Sequence, residues 1–154
     1  MNLTKNFTLA EMTKSETALR FGMGNHPGDT ELENLKILCE KVLQPVRDHY
    51  GKGVKVNSGY RHPLVNSKVG GSPRSEHCKG MAADIEIPGL PNADLAEWIR
   101  DNLDYTQLIL DYYTPGIHDS GWVHVSYNQH DLKKQVMTAK VKDGKTEYVG
   151  GLVA

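Results

Sequence analysis

The chain has 154 residues, of which 38% are apolar and 24% are charged, and its formal net charge is -1. A near-neutral chain of this composition buries an ordinary core and has no basic field that would attract nucleic acid. It also contains no apolar run near the roughly 20 residues that a membrane-spanning helix needs. We therefore expect one domain over residues 1–154, acting as a monomer without nucleic-acid partners and without a membrane span.

The N-terminal half is predicted to be helical. Three pairs, Thr8 with Glu11, Thr13 with Glu16 and Thr30 with Glu33, have the spacing of a capping box, in which a hydroxyl and a carboxylate satisfy free backbone N–H groups. Apolar residues then recur at helical spacing over residues 32–46, which predicts the main core helix. Pro45 lacks a backbone donor, so we expect it to kink or restart this helix.

The remainder of the chain is typical of short strands. Strands are predicted at residues 54–57, 81–87, 107–112 and 123–127. Asn92 is predicted to cap a helix through Arg100, and Asp143-Gly144 is expected to turn a hairpin near the C-terminus. Helices followed by strands predict an α+β fold, with N-terminal helices packed on a small antiparallel sheet.

Three residues suggest a metal site. A catalytic zinc ion takes three protein ligands and leaves a position for water, and His77, Asp84 and His124 offer such a set. Strand alternation turns Asp84 away from its apolar neighbours Ala83 and Ile85, and a buried carboxylate needs a cationic partner. The alternative is structural, because a single histidine in a strand is more often a hydrogen-bonded residue, and a single aspartate a cap or a surface charge.

Several motifs in a fixed order resemble the M15 peptidase family. They are Ser-Gly-Tyr-Arg from residue 58, Val-Gly-Gly-Ser from residue 69, Ser75-x-His77 with Ala83-Asp84, and Trp122-Val123-His124. The resemblance extends over residues 7–152. The family includes zinc D-alanyl-D-alanine carboxypeptidases and phage endolysins that cut between L-alanine and D-glutamate. It implies a DD-peptidase-like fold, related to signalling domains of the Hedgehog type, with Zn²⁺ as the cofactor.

The resemblance also implies roles for individual residues. His77, Asp84 and His124 match the zinc ligands of the family. Arg61 matches an arginine near the substrate, where a rigid guanidinium group suits a carboxylate, although a surface salt bridge is the alternative. Ser75 matches a serine that can hydrogen-bond substrate, although a loop or cap role explains it equally well.

The general base departs from the family pattern. Many members place an acidic residue three positions before the last histidine ligand, but here that position is Gly121. Asp111 and Asp119 are equal candidates for the base, and His118 is a further candidate. Their structural alternatives are a strand end for Asp111 and a turn for Asp119.

These residues predict zinc-dependent hydrolysis of peptide bonds in peptidoglycan stem peptides, by a phage-type endolysin or a cell-wall carboxypeptidase. The alternative function is a noncatalytic zinc module that binds wall peptides or a protein partner, and Gly121 keeps this alternative open. Residues 1–8 lack the pattern of a secretory signal, so we expect synthesis in the cytoplasm and action on the bacterial cell wall, with phage-mediated release as one route.

Overall fold

The computed structural model describes residues 1–117 and 119–153. The helical elements are α1 (Leu9–Thr13), α2 (Glu16–Arg20), α3 (Asp29–Leu38), a π-helical segment (Cys39–Leu43), α4 (Gln44–Tyr50), α5 (Pro63–Lys68), a 3-10 turn (Glu76–Lys79) and α6 (Asn92–Asn102). The strands are β1 (Asn2–Thr4), β2 (Phe7–Thr8), β3 (Lys55–Ser58), β4 (Ala82–Glu86), β5 (Gln107–Asp111), β6 (Trp122–Ser126), β7 (Gln135–Lys142) and β8 (Lys145–Gly150). The predicted α+β class is confirmed.

Of the three predicted capping boxes, the structure contains one. The Thr8 hydroxyl accepts from the Glu11 backbone, and the Glu11 carboxylate accepts from the Thr8 backbone, so the first capping box is confirmed. The second was wrong, because Ser15 caps α2 and the Thr13 hydroxyl donates back into α1. The third was also wrong, because α3 already begins after Gly28, without a side-chain cap.

Pro45 restarts the main helix, as predicted. The π-helical segment ends at Leu43, α4 begins at Gln44, and Pro45 lies in the first turn of α4. The backbone stays helical through Leu43 and Gln44, and the Gln44 N–H bonds the Cys39 carbonyl in a wide π turn directly before Pro45. A proline removes one helical N–H and crowds the preceding turn, and the wider turn accommodates it. The wider π turn separates α3 from α4, and both helices still bury apolar residues in the same core.

The larger sheet has six strands in the order β3-β4-β6-β5-β7-β8. Every neighbouring pair is antiparallel except β5 and β7, which are parallel. The prediction of an antiparallel sheet was therefore wrong at one pair. At this pair β7 starts beside the start of β5, where the Gln135 backbone N–H donates to the Thr106 carbonyl. Beyond it, Asp143 and Gly144 connect β7 to β8 as predicted.

The sheet has one face toward the helices and one toward the candidate site. The helix-facing side chains are fully or almost fully buried: Ala83, Ile85, Ile87, Leu108, Leu110, Val123 and Val125. They belong to the same core as Leu35, Leu38, Val42, Val46, Leu95 and Ile99 of the helices. Residues alternating with them along the strands project from the opposite face, which the helices leave open. The predicted alternation around Asp84 is therefore confirmed.

None of the described helices combines the length and the apolar character needed to cross a membrane. The likeness to the Hedgehog arrangement stays a prediction, as does the organisation of residues 1–154 as one domain.

Candidate metal centre and its cleft

Three potential ligands converge on the open face of the sheet. One nitrogen each from His77 and His124 and one carboxylate oxygen of Asp84 lie within 4.8 Å of one another. Asp84 on β4 is directly opposite His124 on the adjacent β6, whereas His77 arrives from the 3-10 turn that precedes β4. The tertiary structure therefore brings together all three residues that the sequence singled out.

A backbone carbonyl fixes which nitrogen of His77 faces the centre. His77 is 4% exposed, and its Nδ1 lies 2.8 Å from the carbonyl oxygen of Gly59. A carbonyl can only accept, so Nδ1 carries the hydrogen and donates it. In the neutral ring, Nε2 then has a free lone pair, and this atom lies 3.4 Å from Asp84 Oδ2. This is the tautomer that a metal ligand needs.

Gly59 owes this position to a close backbone contact. A Cβ atom at residue 59 would overlap the carbonyl oxygen of Met12, and the next residue, Tyr60, donates its N–H to that same oxygen at 2.7 Å. The end of β3 is therefore packed directly on α1. A side chain at this position would move the carbonyl that orients His77.

The donor set fits a divalent cation. His77 Nε2 lies 3.4 Å from one oxygen of the Asp84 carboxylate, and His124 Nδ1 lies 3.0 Å from the other oxygen. Two lone pairs repel at such distances unless a proton or a cation lies between them. Two imidazoles and one carboxylate form a three-ligand set typical of catalytic zinc, with room for a fourth ligand.

Electrostatics keep the carboxylate ionised. Burial by itself would raise the pKa of Asp84, but hydrogen bonds and charge from His124 and His77 hold that pKa well below its usual range. For His124, burial lowers the pKa, but the hydrogen bond from its ring to Asp84 outweighs burial, so the pKa is raised. Without a metal, a proton on the His124 ring faces the ionised carboxylate of Asp84, and a bound cation would take the place of that proton.

These ligands lie in a cleft of about 590 Å³, which we call the histidine cleft. Its lining includes the three ligands together with Arg61, Ser75, Glu76, Ile109, Asp111, Tyr112, Trp122 and Tyr148. The volume is within the range of small-ligand sites, roughly 300–1,000 Å³. A few charged groups therefore surround a space large enough for part of a peptide.

Asp111 is the carboxylate that shares the cleft with the ligands. It lies at the end of β5, two residues beyond Ile109, which is opposite His124, so its side chain is on the same face as His124. Asp111 is only 9% exposed. Burial, reinforced by the negative charge of Asp84, raises the pKa of Asp111 to about 6. A carboxylate with such a pKa can exchange protons near neutral pH.

Neither of the other two base candidates is found among the described residues of the cleft. Asp119 is exposed in the turn before β6 and is not among the described residues that line the histidine cleft. His118 lies outside the described residues. Of the predicted candidates within the described ranges, Asp111 alone is in the cleft.

Gly121 has a structural reason to be glycine. Its φ is +65°, in the left-handed region, and a Cβ there would overlap the Asp111 carbonyl oxygen and lie 2.7 Å from the Tyr112 carbonyl carbon. The chain therefore enters β6 by passing against the backbone at the end of β5. No side chain fits at position 121, where many members of the family have an acid.

Asn92 holds this turn in place, a role that the sequence did not reveal. Its side-chain amide donates to the carbonyls of Ser120 (3.0 Å) and Gly121 (3.2 Å), and the residue is 1% exposed. The prediction that Asn92 caps the helix was wrong, because α6 begins at Asn92 itself and has no side-chain cap. Asparagine before an apolar helix is a common capping pattern, so the sequence offered no signal for the long-range bond.

Arg61 lines the histidine cleft, where two neighbouring side chains orient it. Its guanidinium donates to Asn66 Oδ1 at 3.1 Å and lies 3.4 Å from the Ser58 hydroxyl. No salt bridge within the described ranges involves Arg61, so the predicted alternative of a surface salt bridge is not seen there. Asn66 is itself buried and fixed by a bond to the Ser72 carbonyl. Most of the donors of Arg61 remain available to a ligand.

Ser75 lines the cleft, but its hydroxyl is already engaged. It accepts from the His77 backbone N–H at 3.2 Å and so caps the 3-10 turn. This is the structural role that the sequence left open for Ser75. Substrate binding by Ser75 stays a prediction.

Two tyrosines of the cleft were also missed. Tyr112 follows Asp111 with a φ of 56°, and its hydroxyl lies 2.7 Å from the Thr146 hydroxyl on β8. Tyr148, also on β8, is 57% exposed and lines the cleft. No motif surrounds either residue. Tyr112 is the neighbour of Asp111 in sequence, whereas only the pairing of β8 with β7, and of β7 with β5, brings Tyr148 level with Asp111.

Comparison with known proteins agrees with this geometry. The sequence profile of the family described as Peptidase M15 matches residues 5–126, which include the three candidate ligands, Arg61 and Asp111. The zinc D-Ala-D-Ala carboxypeptidase of Streptomyces albus G is 33% identical over 115 residues, covering 74% of this chain. The matched part spans only 43% of the length of that relative. On the extent of the profile match, the chain belongs to the peptidase M15 family.

Proposed function

We propose that this chain is a zinc-dependent peptidase that hydrolyses peptide bonds in the stem peptides of bacterial peptidoglycan. The observation that carries the proposal is the convergence of His77, Asp84 and His124 in a cleft that also holds Asp111. The curated relative, a zinc D-Ala-D-Ala carboxypeptidase, supports both the metal and the substrate class.

In this proposal the three converging residues bind one zinc ion. Bound zinc supplies Lewis acidity, which activates water and polarises the scissile carbonyl. Asp84 contributes the negative charge of the ligand set, and the Gly59 carbonyl keeps His77 in the tautomer whose Nε2 is free to bind. The burial of His77 limits its rotation, so the ligand set is largely formed in advance.

Asp111 is the general base of the proposed reaction. Its carboxylate accepts a proton from the attacking water and passes that proton to the leaving amine. Burial raises the pKa of Asp111 to about 6 in the metal-free protein, and a bound cation would lower that pKa, so the group is ionised at neutral pH and can accept the proton. The left-handed Gly121 packs against the backbone of Asp111, which supports Asp111 as the replacement for the family acid missing at position 121.

Arg61 binds a carboxylate of the peptide in this proposal. Its planar guanidinium offers two parallel donors, the geometry that a carboxylate accepts best. Asn66 and Ser58 orient the group through neutral oxygen atoms, so they do not neutralise its charge. Arg61 therefore selects and aligns the substrate, whereas it does not hold the metal.

The direct test is digestion of purified peptidoglycan, with and without a chelator, followed by mass spectrometry of the released fragments. We expect chelator-sensitive cleavage and about one zinc per chain. New amino termini would identify endopeptidase action of the phage endolysin type, whereas free D-alanine would identify carboxypeptidase action. Zinc-loaded protein that releases neither product would exclude the peptidase and leave a noncatalytic zinc module.

Ligand variants test the metal centre separately. His77→Ala and His124→Ala should each abolish tight zinc binding, because each removes one of three ligands. Metal content after gel filtration measures this, with His130→Ala as the matched control, since His130 is exposed and its backbone alone is hydrogen-bonded. Full zinc occupancy in both ligand variants would show that the assignment is wrong.

A further inference from the structure

A second cavity adjoins the histidine cleft. Its volume is about 630 Å³, and it shares Arg61, Val69 and Trp122 with the histidine cleft. The rest of its lining comes mainly from residues 14–17, which connect α1 to α2 and begin α2, and from residues 55–58 of β3. Because three residues line both spaces, the two are adjacent, and together we call them the groove, with Arg61, Val69 and Trp122 at their common boundary.

The charged lining of the second cavity is predominantly basic. Lys14, Lys55 and Arg61 face a single acid, Glu16. Both lysines are exposed, and neither takes part in a salt bridge within the described part of the chain. We call this space the lysine cavity. Its charge differs from that of the metal centre, where the fixed charge is the carboxylate of Asp84.

The acidic residue paired with Lys55 on the neighbouring strand already accepts a hydrogen bond. Glu86 is the register partner of Lys55 on β4, and its carboxylate accepts from the Asn57 side chain at 2.8 Å. Glu86 is not among the described residues that line the cavity. The ammonium group of Lys55 therefore remains available to a ligand in the cavity.

We propose that the lysine cavity binds an acidic segment of the same peptide whose scissile bond lies in the histidine cleft. This inference rests on the proposed function in one respect, that the ligand of the histidine cleft is a peptide. The substrate class is then an extended peptide with a carboxylate beyond the one that Arg61 holds. Lys14 and Lys55 attract this further carboxylate, and Trp122 lines both spaces.

The test measures peptide binding through Trp122. The chain has two tryptophans, and Trp98 stacks on His49, away from the groove, so Trp98→Phe leaves Trp122 as the only tryptophan reporter. The probes are a stem peptide released from peptidoglycan and the same peptide after its carboxylates have been converted to amides. Stopped-flow fluorescence of the zinc-loaded protein records the binding amplitude before turnover.

We expect the Lys14→Glu/Lys55→Glu double variant to raise the Kd of the acidic peptide by about tenfold, from two reversed charges at exposed positions. The Kd of the amidated peptide should change less than about twofold, and added salt should weaken wild-type binding of the acidic peptide only. Lys41→Glu is the matched control, since Lys41 is exposed on the π-helical segment and lies outside both cavities. It should leave both Kd values unchanged.

Three results would overturn the inference: equal wild-type binding of the two peptides, unchanged binding of the acidic peptide by the double variant, or equal weakening for both peptides. Circular dichroism of each variant separates misfolding from loss of charge, and the neutral pair Lys14→Met/Lys55→Met should give an intermediate Kd. Failure of the peptidase proposal is seen separately, as zinc-loaded protein that binds the acidic peptide selectively but releases no fragment from peptidoglycan.

Discussion

Replacing Asp111 with asparagine should lower turnover and raise stability. The pKa of Asp111 is about 6 in the folded protein, against an ordinary value of 3.8, so folding opposes its ionisation. A raised carboxyl pKa means that the folded state binds the proton more tightly than the unfolded state does. The destabilisation is absent below pH 3.8, grows as the pH rises toward 6, and is complete above it. Asparagine cannot ionise, so Asp111→Asn removes this penalty.

The difference between 3.8 and about 6 corresponds to at most about 3 kcal/mol at pH 8. Solvent in the cleft screens part of the effect, so we expect the variant to gain about 1–3 kcal/mol at pH 8 and less than about 1 kcal/mol at pH 4. For a chain of this length the gain at pH 8 raises Tm by roughly 2–10 °C. Thermal unfolding of metal-free protein at the two pH values measures it, because a bound cation would itself favour the carboxylate.

The same variant should lose turnover. Removal of a general base lowers kcat by about 10²–10⁴-fold, whereas zinc content should stay near one per chain. Asp119→Asn is the matched control, because Asp119 is exposed and lies outside the described lining of the cleft. It should change stability by less than about 0.5 kcal/mol and leave turnover unchanged.

Two results would refute this reasoning. If Asp111→Asn is less stable than the wild type at pH 8 without metal, burial does not penalise the Asp111 carboxylate. If its turnover stays within tenfold of the wild type while Asp119→Asn is inactive, the base is Asp119. In the wild type, kcat/KM should fall with decreasing pH, with a midpoint at or below about 6, since only the ionised carboxylate accepts a proton.

Gly121→Ala should lower the free energy of unfolding by about 2–5 kcal/mol in urea denaturation, because a left-handed alanine and a Cβ overlapping backbone both destabilise. For the same reason Gly121→Asp, which supplies the acid common in the family, should reduce turnover; higher turnover would contradict this. Asn92→Ala should cost about 1–3 kcal/mol by thermal unfolding, since two carbonyls lose their donor. Arg61→Ala should raise KM for an acidic stem peptide with zinc content unchanged, and a loss of zinc from a folded variant would show that Arg61 supports the metal instead.

Local patterns predicted individual elements well and their ends less well. The Thr8 capping box, the restart at Pro45 and the Asp143-Gly144 hairpin depend on neighbours in sequence, and all three are confirmed. The cap of α2 was placed two residues early because Thr13 and Ser15 are both good capping residues, and packing decides between them. The parallel pairing of β7 with β5 depends on a long-range contact, which no local pattern encodes.

The sequence by itself determined the chemistry available to this protein: the histidines and aspartates, their order in the family motifs, and the strand alternation that separates Asp84 from the core. Only the tertiary structure showed that Asp111, and not Asp119, lines the cleft of the three ligands. Only the tertiary structure showed that Asn92 donates to the turn before β6. It also placed the lysine cavity beside the histidine cleft. The physical reason is that composition and periodicity describe short stretches of chain. Strand register and backbone packing, such as that of Gly121 against Asp111, join residues that are far apart in sequence.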